Sequence, residues 1–420
     1  MAIGPIQLLR QASPSQRGTL FAAALGWMLD AFDAMLYSLV LVYLMRDLGM
    51  SKGTAGFLNM LTLLASGLGG VFFGFIADRI GRKRALMLSI LTYSICSFAS
   101  GLSTTVLMLA VFRFILGLGM GGEWNTGATL VAETWPDEWR AKAISIVQSS
   151  WAIGYALAAL VAGIVLRFAN WRAVFFVGIL PALVTLWMRR RVPESRMWEA
   201  QRSQKPELQR APGIPRDDSF SVLFRAPYRR STIVLLFLNF FGMFGWWGLF
   251  TWIPPYLSLP VEQGGRGFGI MGTTTLLIVL NLLGMFPGYA SFGWIADHLG
   301  RRRSYILFTA GAAVLVPLYA LAHSPAAVLV MGTIVAYFGT GFFSGSGIIA
   351  SEIFPTRVRA RALGVTYNGA RTLSSIAPFV IGRVGQAKGL SWAFYLCGAA
   401  FFLASLMATL LPETKGKSLE

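Results

Sequence analysis

GFIADRIGRKR at residues 74–84 returns as GWIADHLGRRR at residues 293–303, Gly74 and Gly293 being 219 positions apart. The same displacement carries ETWPDEWRAKA, from Glu133, onto EIFPTRVRARA, from Glu352, and PES at 193–195 onto PET at 412–414. Three separate blocks in one register mark a duplicated unit. Each basic block lies between two long apolar runs, so the duplicated unit is a set of six membrane-crossing helices.

Working outward from these blocks, the chain of 420 residues is 55% hydrophobic and only 13% charged. Runs of about 18 or more mostly apolar residues, each long enough to cross a bilayer as a helix, recur throughout. Spans are expected near 19–45, 55–77, 85–103, 106–132, 143–166, 173–188, 231–257, 269–296, 304–322, 326–352, 362–382 and 391–411. The expected fold is an all-α membrane protein with twelve transmembrane helices in two pseudo-symmetric six-helix bundles, 1–190 and 231–420. Between them, 191–230 is rich in charge, Pro and Gln and reads as a cytoplasmic linker. The first apolar run lacks a small-residue cleavage site and reads as a retained span.

The net charge of +18 would suggest nucleic acid in a soluble protein, but its placement is a topology signal. With the N-terminus inside, the cytoplasmic segments hold 27 of the 36 Lys and Arg, the opposite loops 7 and the spans 2. That bias places both termini in the cytoplasm, with attraction to anionic lipid as a by-product; the expected setting is a bacterial-type inner membrane, with the lipid bilayer as a partner and no nucleic acid. Cys96 and Cys397 fall inside spans and read as small apolar side chains.

In the repeated loop, Gly74 and Gly293 are expected to allow close helix approach, Asp78 and Asp297 to cap a helix or pair with an arginine, and Gly81 and Gly300 to permit a tight turn. The pattern G-x-x-x-D-R-x-G-R-[RK]-R, with twelve spans in two halves, resembles the major facilitator superfamily. The resemblance implies a salt-bridge cluster of Asp78, Arg82, Glu133 and Arg140 that locks one half to the other when the cytoplasmic side is closed. Asp297, Arg301, Glu352 and Arg359 would form its mirror. LDAFDAMLYSL, RFILGLGMGGEWNTGATLVAETWP and WRAVFFVGILPALVTLWMRRRVPES are similar to the sialate:proton symporter family, with aromatic-acid:proton symporters as near neighbours. The resemblance implies proton-coupled carriage of a sialic or sugar acid, a monocarboxylate or an aromatic acid, without a cofactor and driven by the proton gradient.

Five charges fall deep inside spans: Asp30, Asp33, Arg113, Glu123 and Arg371. Each costs about 2.5–3.5 kcal/mol at the bilayer centre, so such groups face a cavity, pair, or take up a proton. Burial favours a neutral carboxyl and a nearby cation favours the charged form, so an acid beside a movable arginine can be switched. Asp30, Asp33, Glu123 and Arg113 are therefore expected to couple protons. Arg371 is expected to hold the substrate anion, since guanidinium grips a carboxylate with two bonds. The alternative is static pairing, for instance Asp30 with Arg113, which gains little over apolar packing. Asn239, Asn281, Asn368, Trp246, Trp247 and Tyr37 complete the expected substrate site.

A drug antiporter or sugar facilitator of the same fold is the competing function, though two deep arginines favour an anion. With two His and no H-E-x-x-H or G-x-x-x-x-G-K-[ST], neither a metal site nor an enzyme is expected. A sensor would need a further domain, and the linker is too short to be one. The unit is expected to work as a monomer.

Overall fold

The structure, a computed structural model, describes residues 10–191, 194 and 220–415. Long apolar runs separated by short polar turns fold into twelve helical units, with no strand among the described residues. In the first half these are α1 (Pro14–Asp47), α2 (Lys52–Ile80), α3 (Arg82–Ser100), α4 (Val106–Thr134), α5 (Asp137–Phe168) and α6, split into Trp171–Val177 and Pro181–Arg191. In the second half they are α7 (Arg229–Ser258), α8 (Ile270–Leu299), α9 (Arg301–Ala320), α10 (Pro325–Ile353), α11 (Thr356–Leu363 onward to Ala377–Lys388) and α12 (Leu390–Thr409). Displaced by 219 residues, Val106–Thr134 becomes Pro325–Ile353, the bounds of α10. The linker expected at 191–230 falls largely outside the described residues.

Local chemistry sets the helix starts. Ser13 and Gln16 close a capping box on α1, and Ser51, Thr105 and Ser324 each accept from the third backbone N–H of the helix that follows. Among the described helices, nine are long and apolar enough to cross a membrane. Of the other units, α3 carries Arg82, Lys83 and Arg84 and a file of serines, and α6 and α11 are interrupted.

These interruptions correct the expected spans. The span expected at 173–188 breaks at Gly178–Leu180 and restarts at Pro181, which has no N–H to bond into the preceding turn. Similarly, α11 starts at Thr356 instead of 362 and α5 at Asp137 instead of 143, because the charged segments at the membrane edge are themselves helical. Two π-helical turns, Leu280–Met285 in α8 and Gly364–Gly369 in α11, occur in the second half, where the equivalent parts of α2 and α5 are regular.

The halves meet along α2 with α11, α5 with α8 and α1 with α7. At the end away from the basic loops they are sealed. Gly53 N–H donates to Gln386 Oε1 (3.2 Å) and Lys52 Nζ to the Gln263 carbonyl (3.0 Å). Deeper in, Asn59 donates to Thr251 (2.9 Å), and Gly56 leaves no room for a Cβ against the backbone of Pro378 and Phe379. Residues 251–257 of α7 are all buried. Towards the basic loops, Trp124, Phe343 and Tyr367 on the facing helices are only half-buried.

Candidate functional site

Between the halves lies a cavity of about 320 Å³ of non-atom space, part of it open to solvent. From the first half it is lined by Trp27, Gln148 and Trp151, and from the second by Met243, Trp246, Trp247, Tyr289, Phe343, Tyr367 and Arg371. The tryptophans form a continuous cage. Trp27 and Trp151 stand 4.7 Å apart, Trp151 meets Trp246 and Trp247 edge-on at 6.0 Å, and Trp246 and Trp247 are 4.8 Å apart. Such tilted and edge-on contacts suit aromatic rings and leave polar edges free. Arg371 Cζ lies 5.9 Å from the Trp27 ring, within cation–π range.

The lining is polar at a few points only. Trp27 Nε1, Trp151 Nε1, Arg371 Nη2 and Gln148 Oε1 are buried without a protein partner. Buried polar groups are nearly always satisfied in folded proteins, so three donors and an acceptor left over on an aromatic cavity have the layout of a small-molecule site, apolar walls with a few convergent polar groups.

Sequence reasoning picked out Trp246, Trp247 and Arg371 and missed the rest. The missing signal was the duplication itself: the 219-residue displacement carries Gly26–Trp27 onto Gly245–Trp246, Gln148 onto Tyr367 and Trp124 onto Phe343. Tyr37 and the three asparagines lie elsewhere. Asn239 is spent inside its own half, donating to the Thr366 carbonyl (3.0 Å) and accepting from Ser346 (2.7 Å). Asn281 bonds back to the Leu277 carbonyl in the π-helical turn of α8, and Asn368 is not among the lining residues. Tyr37 donates to the Ala55 carbonyl (2.8 Å) and stacks beneath Arg113.

Behind the cage lies the ionisable cluster. Asp30, Asp33 and Arg113 are fully buried, Glu123 is 1% exposed and Arg371 6%. Asp33 accepts from Ser97 at 2.7 Å. Both carboxylate oxygens of Asp30 and Glu123, Asp33 Oδ2 and all three guanidinium nitrogens of Arg113 lack a protein partner. The static Asp30–Arg113 pair is therefore not made. Asp30 and Glu123 instead lie within electrostatic reach of each other and of Arg371. Gly26 makes room for the Glu123 carboxylate, which a Cβ there would strike.

The loop charges divide by half. Arg82 pairs with Glu133 (3.1 Å), and Arg301 with Glu352 (2.9 Å) and Asp297 (2.7 Å). Arg359 Nε donates to the Phe354 carbonyl (3.2 Å), and Arg140 sits in the first turn of α5. The Asp78 side chain lies outside the described residues. Each of these ion pairs joins helices of one half, so in this conformation none of the three ties the halves together. Gly74 and Gly293, expected at close helix contacts, face open space, with nothing within 4 Å of where a Cβ would stand. Gly81 and Gly300 have φ of +107° and +97°.

The repeated PES and PET blocks explain those two turns. Glu194 accepts from the Lys83 backbone N–H (3.0 Å) and Glu413 from that of Arg301 (2.8 Å), so each carboxylate caps the helix that follows its glycine. Burial pushes Glu413 up, but the N–H groups of Arg301, Lys415, Thr414 and Arg302 together hold it below the usual carboxylate range.

With this geometry in place, comparison with known proteins is specific. The family model described as Major Facilitator Superfamily matches residues 23–291 and 266–420. The chain is 32% identical to a probable 4-methylmuconolactone transporter of Cupriavidus pinatubonensis, over 98% of this chain and 94% of that one. It is 31% identical to a cis,cis-muconate transport protein of Acinetobacter baylyi (94% and 93% covered) and 30% identical to the sialic acid transporter NanX of Escherichia coli (93% of each). Among solved structures, a partially occluded, inward-open xylose transporter XylE from E. coli superposes with a TM-score of 0.77 at 19% identity, covering 97% of this chain and all of that one.

Proposed function

The chain belongs to the major facilitator superfamily, and on that premise we propose that this multi-pass membrane transporter is a symporter that carries an organic acid anion together with protons by alternating access. The observation that carries the reading is Arg371: it lines the aromatic cavity with a free Nη2 and stands within electrostatic reach of Asp30 and Glu123. A guanidinium cannot fully serve a substrate carboxylate and two buried acids at once. When the substrate takes it, the acids are left without their counter-charge and take up protons. When the protons leave, the acids reclaim the guanidinium and the anion is released.

Within the organic acids, the cavity favours flat, conjugated carboxylates over polyhydroxylated sugar acids. Four tryptophans offer broad apolar faces, while few unpartnered polar atoms are present to serve a sugar's hydroxyls. The positive-inside bias puts the basic loops and both termini in the cytoplasm, so the seal faces outward and the cavity inward. The protein works as a monomer in a bacterial-type inner membrane, without a cofactor.

Uptake into proteoliposomes under an imposed inward proton gradient tests this. Labelled benzoate, cis,cis-muconate and N-acetylneuraminate are run beside xylose and a lipophilic cation. The expected result is gradient-driven accumulation of a carboxylate, strongest for the flat acids. Accumulation of xylose or the cation, or uptake of acids indifferent to the gradient, refutes the reading.

A further inference from the structure

We propose that protons reach Asp33 through the interior of the first half, along a hydrated file of hydroxyls on α3, and not through the aromatic cavity. The inference rests on the proton-symport reading for its purpose, but its geometry stands by itself.

Ser94, Ser97 and Ser100 recur every third residue on α3, Ser103 follows just beyond its end, and all four are fully buried. Leu102, between the last two, is 50% exposed, so the file begins at the protein surface, on the sealed side. It ends at Asp33, which Ser97 contacts directly. Along it Ser103 Oγ has no protein partner and Ser100 Oγ donates to the Cys96 carbonyl (2.8 Å), leaving its lone pairs to accept. At its end Asp33 Oδ2, and just past it Ser94 Oγ, are buried without a partner, as is the whole guanidinium of Arg113. Polar groups in such numbers, sealed from solvent and unpaired, are served by internal water, and ionisable residues at this depth mark proton paths.

The sixth helix adds an independent observation. Its break at Gly178 falls against this pair: a Cβ at Gly178 would strike both Ser97 Oγ and Asp33 Oδ1. Irregular backbone at membrane depth is tolerated where it is packed in protein or lines water. The second half has none of this. The 219-residue displacement takes Ser94, Ser97 and Asp33 to Ala313, Val316 and Trp252, and α12 runs unbroken. File, break and acids occur together in one half.

Each transfer breaks one O–H bond and forms another, through hydroxyls and water, and the proton comes to rest on Asp33 with no electrons exchanged. The charged and titratable groups facing Asp33 are Asp30 on its own helix, Tyr93 from α3 and Arg113 from α4; α6 presents backbone.

The test uses the proton alone as probe. Purified full-length protein in lipid nanodiscs is given a rapid downward pH jump, and the carboxylic acid C=O stretch is followed by time-resolved infrared. Asp33→Asn identifies the band. Ser100→Val, which does not touch Asp33, is expected to slow the appearance of the band at least tenfold while keeping its amplitude. Ser100→Thr has the same shape with the hydroxyl restored, and is expected to keep the wild-type rate. A wild-type rate in Ser100→Val overturns the proposal, as does the absence of an Asp33 band in the unmodified protein. Should Ser100→Val not insert, Ser103→Ala removes a hydroxyl at the outer end of the file without adding bulk; slowing of about threefold supports the file and an unchanged rate refutes it. If Asp33 protonates along the file while no acid accumulates under a gradient, the route stands and the symport reading falls.

Discussion

A guanidinium set among tryptophans at membrane depth is a costly arrangement, and in the proposed cycle Arg371 is the residue on which substrate and proton meet. Arg371→Lys keeps the charge but loses the planar fork. We expect KM for the transported acid to rise about 10–100-fold, on the order of 1.5–3 kcal/mol, with proton dependence retained in uptake assays. Asp33→Asn removes a protonatable group and keeps the shape; it should abolish gradient-driven accumulation while leaving equilibrative exchange of the same acid. Unchanged accumulation at every pH would remove Asp33 from the mechanism. The five deep charges were legible in the sequence because a charge inside an apolar run is conspicuous. Gln148 and Trp151 were not, since an amide or indole in a helix says nothing about which way it faces until the neighbouring helices are placed.

At the scale of elements, the repeated acidic tail after the sixth and twelfth helices works as a remote helix cap, a role that its spacing alone did not disclose. Gly300 holds a positive φ against Glu413. Gly300→Ala should therefore cost about 1–3 kcal/mol of backbone strain and lower the unfolding temperature of the solubilised protein, read by differential scanning fluorimetry. Glu413 titrates below its usual range when folded, so its contribution is present above that range and is lost as pH falls through it. Glu413→Gln should accordingly be less stable than the parent near neutral pH, with the difference closing in acid. A gap that widens on acidification would contradict the capping role. The π-helical turn at Gly364–Gly369 lies directly before Arg371. Such turns gather at functional sites, and hydropathy cannot reveal them.

On the scale of the whole molecule, the two halves touch through glycines at the sealed end, so a side chain there acts on the equilibrium between conformations more than on the fold of either half. Gly56→Leu inserts bulk against the backbone of Pro378 and Phe379 and should shift the population away from this sealed state. Spin labels on the α1–α2 and α11–α12 loops should then report a longer distance than in the parent. An unchanged distance distribution would mean that the seal does not depend on this contact.

The sequence by itself determined the class, the duplication, the twelve units and the identity of the expensive charges. Each follows from local physics: apolar length against bilayer thickness, a fixed displacement, and the cost of ionising groups in hydrocarbon. Only the tertiary structure decided that the tryptophans of both halves close into one cage, that Asp30 and Arg113 do not pair, that Gly74 and Gly293 face open space, and that α6 breaks beside Asp33. Those facts depend on the rotation of each helix about its axis. That rotation is set by packing between segments far apart in the chain, and in a uniformly apolar helix no local pattern of hydrophobicity records it.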